Sequence, residues 1–267
     1  MPSGSVDTSN NSNSRGLRRG AMKYMGSKAR IAKHILPIIL ENRKDDQWYV
    51  EPFVGGANMI DKVCGNRAGY DLNQWVVDAL KFIRDCELPK DNLEFTEEDY
   101  NECAEAVRSS AEPPKGRGLA GYALISFSFG AKWIGGWSRG KNSKGGQRDY
   151  VAEQYRGNTK QKPLLQGVRF GCCSYEQIAL PPSSIIYCDP PYEGTTKYKD
   201  DFDHERFWGW CREKADDGHQ VFVSEYAAPA DFVCVWSKEL GVSVAKDGGH
   251  KKATEKLFIH ESQMFGV

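Results

Sequence analysis

The chain is predicted to be an α/β protein built on a doubly wound, mostly parallel sheet, with an inserted region in its middle. Strand and helix signals alternate along most of its 267 residues. Near the N-terminus the order is strand, glycine turn, helix, strand and acid, which is the first half of a nucleotide-binding sheet. The alternation lapses between residues 90 and 167, and that interval breaks the regular winding.

The elements follow in order. "SKARIAKHILPIILENR" from Ser27 opens like a capped helix with apolar positions at Ile31, Ile35 and Ile38 or Ile39, and Pro37 is expected to kink it. "QWYVEPF" reads as a short buried strand, "GGANMIDKVCG" as a glycine loop entering a helix, and "AGYDLN" as a strand ending in an acid. "QWVVDALKFIRD" has the three-and-four apolar spacing of a helix. "TEEDYNECAEAVRSS" predicts a helix inside the middle region. Farther on, "SSIIYCDPPY", "HQVFVSEY", "DFVCVWS" and "KLFIHES" supply strands, and "DHERFWGWCREKADDG" a helix between two of them. "GGHKKATEK" at 248–256 reads as a mobile basic loop that can lie over a bound nucleotide.

Composition narrows the function classes. Thirty-six basic residues balance thirty-six acidic ones, so a nucleic-acid site must come from local clustering. The eight cysteines form no C-x-x-C pair and no zinc spacing, and they read as reduced core residues of an intracellular, cytoplasmic protein. No apolar run approaches the roughly 18 residues of a membrane span. Residues 1–21 are polar and rich in Gly, Ser and Asn, which predicts a disordered tail, and Met22 can serve as the native start. The five histidines are scattered and read as surface or satisfied core residues.

Two stretches carry chemistry. In "EPFVGGANM", Gly55 and Gly56 let the backbone approach a ligand, and Asp71 at the end of the next strand can accept hydrogen bonds from a ribose diol. An ordinary glycine turn explains the same residues as well. Phosphate-cradling glycine patterns are absent, which favours a nucleoside without phosphates. In "IIYCDPPYEG", two prolines force the chain out of the strand as a stiff turn, so the Asp189 carboxylate and the Pro190 carbonyl become two acceptors on a rigid frame. That pair matches the two hydrogens of an exocyclic amine, and Tyr192 can stack on the attached base. Such a base must leave the double helix to reach the frame. The plainer alternative is a Pro-Pro strand exit whose acid caps a neighbour.

With "KYMGSK" at 23–28, "EPFVGG" at 51–56, "YDLN" at 70–73 and "DPPY" at 189–192 in this order, the chain resembles the Dam-type (D12 class) DNA adenine-N6 methyltransferases, over residues 22–262. The resemblance implies a Rossmann-like methyltransferase fold with a seven-stranded sheet, S-adenosylmethionine as cofactor and no metal. It implies cofactor contacts from Tyr24, Lys28, Glu51, Phe53, Gly55, Gly56, Asp71 and Asp189, and a target-amine site of Asp189, Pro190 and Tyr192. Departures are Tyr24 in place of tryptophan, Ser27 in place of the second glycine, and Ala57 after the glycine pair. Tyr175 in "SYEQ" is the candidate for the cofactor's adenine.

The catalytic domain is expected at 22–89 and 168–267, and a target-recognition insertion at 90–167. Between 131 and 169 nine basic residues face only Asp149 and Glu153. Lys132, Arg139, Lys141, Lys144 and Arg148 are the candidate contacts to double-stranded DNA, with Arg139 and Arg148 as guanine readers. Trp133, Trp137 and Tyr150 either wedge into DNA or anchor the loop. The expected protein is a monomer or weak dimer, acting alone or within a restriction-modification pair. Cytosine N4 and adenine in RNA remain rival substrates, because the frame recognises an amine rather than a whole base. A DNA-binding regulator with a decayed cofactor site is the rival outside enzymes. The lack of any Pro-Cys pair weakens methylation at cytosine carbon 5, which needs a cysteine nucleophile.

Overall fold

The computed structural model describes residues 21–193, 202–242 and 251–265. A seven-stranded sheet runs in the order β3-β2-β1-β4-β5-β7-β6, with β1 Tyr49–Glu51, β2 Arg67–Asp71, β3 Arg169–Cys172, β4 Ile185–Cys188, β5 Gln220–Glu225, β6 Phe232–Val242 and β7 Lys251–His260. Strands β1 to β5 pair in parallel, while β7 is antiparallel to both β5 and β6. The chain winds outward from β1 to β2 and β3, then returns to place β4 on the other side of β1. The β1/β4 boundary is therefore the switch point, where the carboxyl ends of the strands open a crevice.

Both faces of the sheet are covered, as a parallel sheet requires. On β4, Ile185 and Tyr187 enter one apolar cluster and Ile186 and Cys188 the other, following the two-residue period of a strand. The first cluster holds helices α1 Ala32–Ile39, α2 Gln74–Asp85, α3 Glu97–Arg108 and α4 Arg117–Ser126. The second lies under α6 His204–Asp216, through Phe207, Trp208, Trp210 and Cys211.

Several expectations change. The helix predicted from Ser27 begins as a 3-10 turn at Lys28–Arg30, and Pro37 lies inside α1 two residues before its end. The glycine loop leads to one 3-10 turn at Ile60–Lys62 instead of a helix, because Gly55 and Ala57 both take positive φ and turn the chain away from a helical path. Of the segment read as a mobile loop, 251–256 belongs to β7, and 248–250 lies outside the described residues. The tail expected at 1–21 lies outside them too, except for Ala21. Among the cysteines only Cys103, Cys188 and Cys211 are buried, whereas Cys64, Cys86, Cys172 and Cys234 are exposed, and none forms a disulfide.

Two helices and one strand carried no clear sequence signal. Helix α4 is buried on nearly every side, so its apolar residues show no stripe. A Cβ on its Gly121 would lie 2.5 Å from the Trp75 carbonyl oxygen, so α4 and α2 pack backbone to backbone. Helix α5, Tyr150–Gln161, is mostly polar, yet its buried Gln161 donates to the Gly56 carbonyl at 3.1 Å and accepts from the Met22 amide at 2.7 Å. Thus the middle region shares the core of the sheet and braces the glycine turn. Strand β3 has four residues, too few to show an alternation.

Among the described residues no helix is long and apolar enough to cross a membrane, and no group of three or more His, Cys, Asp or Glu side chains is arranged to hold a metal ion.

Candidate active site

Four parallel strands end in acids, and the fold gathers those acids at one edge. Glu51 closes β1, Asp71 closes β2, Asp189 follows β4 and Glu225 closes β5. Glu51 and Asp189 flank the switch point.

The glycine turn is built by its neighbours. Asp71 accepts the Gly55 amide at 3.1 Å and the Asn73 amide at 2.9 Å, while the Asn73 side chain caps α2 at the Trp75 amide. One motif residue thus fixes the turn and another starts the next helix. A Cβ on Gly55 would fall 2.8 Å from the Tyr24 ring, and Gly55 has φ +46°. On Gly56 it would meet Asn58 at 2.5 Å, Tyr24 at 2.7 Å and the Met22 carbonyl at 3.0 Å. A side chain at either glycine would push Tyr24 off the turn. Gly56→Ala is expected to destabilise the protein by about 1–3 kcal/mol through overpacking, read as a lowered midpoint in urea unfolding.

Around this turn, Glu51 is buried and its carboxylate accepts the Tyr49 hydroxyl at 2.9 Å. Burial pushes its pKa well above the usual carboxylate range. Phe53 stands 5.6 Å from the Tyr175 ring within a cluster that includes Phe202 and Phe207, so Tyr175 and Phe53 form one aromatic wall.

The charged centre lies beside it. Lys28 is 8% exposed, and its ammonium sits 3.2 Å from Asp189 Oδ1 and 3.2 Å from Glu255 Oε2. Burial lowers the pKa of Lys28, but the two carboxylates outweigh it and leave the pKa above its ordinary value. Burial raises Asp189 to about 6; Lys28 opposes the rise and Glu255 adds to it. The Tyr192 hydroxyl donates to Glu255 at 2.8 Å, and the Lys28 ammonium lies 4.3 Å from the centre of the Tyr192 ring. Tyr226 meets Tyr192 edge to face at 4.6 Å. Glu225 accepts the amides of Tyr226 at 2.7 Å and Glu193 at 3.3 Å, and burial pushes it up to about 7. Pro190, next in the chain, is buried.

The structure therefore gathers Lys28, Glu51, Asp189, Pro190 and Tyr192 at the crevice, with Tyr24, Phe53, Gly55, Gly56 and Asp71 along its β1/β2 side. Glu225, Tyr226 and Glu255 join them without having been singled out in the sequence. Glu225 had a readable signal, since it ends a buried strand as Asp71 does. Glu255 lies in the basic run at 248–256 that was expected to lie over a bound nucleotide, but nothing marked the acid among its basic neighbours.

The five basic candidates occupy the connection from 128 to 149, between α4 and α5, and do not join this cluster. Lys132, Arg139, Lys141 and Lys144 are exposed. Arg139 pairs with Glu97, and Arg148 engages Glu153 through two nitrogens while lying 4.5 Å from the Tyr150 ring centre. Trp133 packs on Trp75, and Trp137 on Tyr100 and Phe127, so both indoles anchor the connection. Phe129, before them, is 64% exposed.

No family model matches the chain. It is similar to the Type II methyltransferase M.FokI of Planomicrobium okeanokoites, at 26% identity over 197 residues, covering 67% of this chain and 29% of that protein. The chain thus spans less than a third of that relative's length. Among solved structures it is similar to SMU.472, a candidate methyltransferase complexed with SAH, with a TM-score of 0.40 and 10% identity over 88% of this chain and 52% of the other. The assignment of a doubly wound α/β fold rests on the strand order itself.

Proposed function

We propose that the chain is a DNA methyltransferase that moves the methyl group of S-adenosylmethionine to N6 of an adenine rotated out of the duplex. The observation that carries this reading is the meeting of the Asp189-Pro190 acceptor frame with Lys28 and Tyr192 at the switch-point crevice, directly beside the glycine cradle. The likeness to M.FokI supports methyl transfer.

The residues present fit the cofactor. Lacking side chains, Gly55 and Gly56 let the Tyr24 ring and Asn58 pack against the turn, which places Tyr24 beside the proposed cofactor site. Asp71 stands at the strand end that takes a ribose diol. Tyr24, Glu51, Phe53 and Lys28 complete its surroundings, with Tyr175 beside Phe53 for a base. The bound cofactor supplies a methyl group on a sulfonium, so a nitrogen–carbon bond forms as the sulfur–carbon bond breaks, and the surplus proton of the amine passes to solvent.

The chain's own contribution is alignment. Asp189 and the Pro190 carbonyl accept the two amine hydrogens and turn the nitrogen lone pair toward the crevice. Tyr192 offers the base an aromatic neighbour. Asp189 accepts best when ionised, so turnover rises as pH passes upward through about 6.

The connection at 128–149 would hold the duplex. Lys141→Ala and Lys144→Ala are each expected to reduce the salt dependence of DNA binding by about one unit of slope, equally for all sequences. Arg139→Ala and Arg148→Ala instead relax the choice of sequence. Fluorescence anisotropy across a salt series, on cognate and scrambled duplexes, separates the two effects.

The reading is tested by incubating the purified protein with methyl-tritiated S-adenosylmethionine and duplex DNA, single-stranded DNA or RNA. Tritium in duplex DNA is expected. Label confined to RNA would replace the substrate, and cofactor that fails to bind at high micromolar concentration would leave a DNA-binding regulator.

A further inference from the structure

Glu255 stands on β7, within the basic stretch 248–256 but not itself among the expected site residues, and it touches the two groups that surround Asp189. Its carboxylate lies 3.2 Å from the Lys28 ammonium and takes the Tyr192 hydroxyl at 2.8 Å. Lys28 in turn reaches Asp189 at the same 3.2 Å. One ammonium is divided between two carboxylates, and all three groups are largely withdrawn from solvent.

We propose that Glu255 is a positioning residue for transfer to the amine: it shares Lys28 with Asp189 and anchors the Tyr192 ring. This rests on the reading that Asp189 accepts the target amine. Were Lys28 paired with Asp189 alone, the ammonium would bind the carboxylate in full and compete with the substrate for its lone pairs. Division with Glu255 weakens that hold while still compensating the buried charge. The hydrogen bond to Tyr192 fixes the phenol at its far end, so the ring keeps its place between Lys28 and Tyr226.

The groups facing Asp189 are Lys28 from the first turn, Glu51 from β1, Tyr187 and Cys188 from β4, Glu225 from β5, Glu255 from β7, and Tyr192 and Tyr226. Of these, Glu255 is the acid that most raises Asp189. Glu255→Gln keeps the shape and an acceptor for Tyr192 but removes the charge. It therefore moves the Asp189 titration to lower pH, and the acid limb of kcat with it. Turnover at pH 8 falls roughly tenfold, while KM for the cofactor holds; Glu255→Ala, which also frees the phenol, loses about a hundredfold. Glu255→Asp recovers part of the loss.

Two measurements keep the inference apart from the proposed function. The Asp189 carboxyl is titrated by NMR in protein labelled with carbon-13 aspartate, with Asp189→Asn to assign the signal, in the wild type and in Glu255→Gln. The pH profile of kcat is measured on the same proteins. A downward shift in both supports the proposal. An unchanged titration, or activity lost with the acid limb unmoved, overturns it and leaves the function standing. A shifted titration in a protein that methylates no nucleic acid sinks the function and leaves the charge sharing in place.

Discussion

Asp189→Asn is expected to lower kcat for methyl transfer about a thousandfold, which is about 4 kcal/mol of transition-state stabilisation. Asparagine keeps the size of the side chain and one acceptor oxygen, but it loses the charge. A hydrogen bond to a charged group contributes about 1.5–3 kcal/mol. The remainder comes from alignment, since the asparagine amide presents a donor where the amine needs an acceptor. Binding of the cofactor is expected to survive, because Gly55, Gly56 and Asp71 are untouched. Calorimetry of cofactor binding beside single-turnover kinetics checks both halves. Equal losses in binding and turnover would mean that Asp189 serves the cofactor alone.

Lys28→Ala is expected to produce the largest loss of stability. It leaves Asp189 and Glu255 buried without their shared cation, and removing one partner of such a group costs about 3–5 kcal/mol. The loss depends on pH with a definite sign. Asp189 already titrates near 6 in the fold, against an ordinary value of 3.8, so its contribution to stability is complete below the ordinary value and is lost as pH rises through 6. Without Lys28 its pKa climbs further. The variant should therefore lie near the wild type at pH 5, where Asp189 holds a proton, and fall well below it at pH 8. Urea unfolding at both values decides the matter, and an equal deficit at both would show that packing, not charge, gives Lys28 its weight.

Much of this site was legible in the sequence because it lies on strand ends. A buried parallel strand shows as an apolar run, and the residue that ends it emerges at the crevice, so Asp71 and Asp189 could be read from position, whereas Glu51 was expected only through the resemblance. The glycine pair was legible because the turn needs positive φ at Gly55 and leaves no room for a Cβ at either residue. Glu255 was hidden because its contacts span more than 60 residues and its neighbours are lysines. Likewise, Gln161 reads as an ordinary polar residue of a polar helix until the fold sets it against Gly56. Helix α4 lacked a stripe since all its sides are buried, and Trp133 and Trp137, open in the sequence to either role, are packed as anchors. Local signals located the frame, and long-range contacts determined how it is held.

The identity of the methylated nucleoside decides directly between transfer to adenine N6 and to cytosine N4. The protein and its Asp189→Asn variant are produced in a bacterial host that lacks DNA methylation of its own, the host DNA is digested to nucleosides, and N6-methyladenine and N4-methylcytosine are quantified by mass spectrometry. N6-methyladenine is expected with the wild-type chain and almost none with the variant. N4-methylcytosine in its place, or N6-methyladenine that persists in the variant, would contradict this expectation.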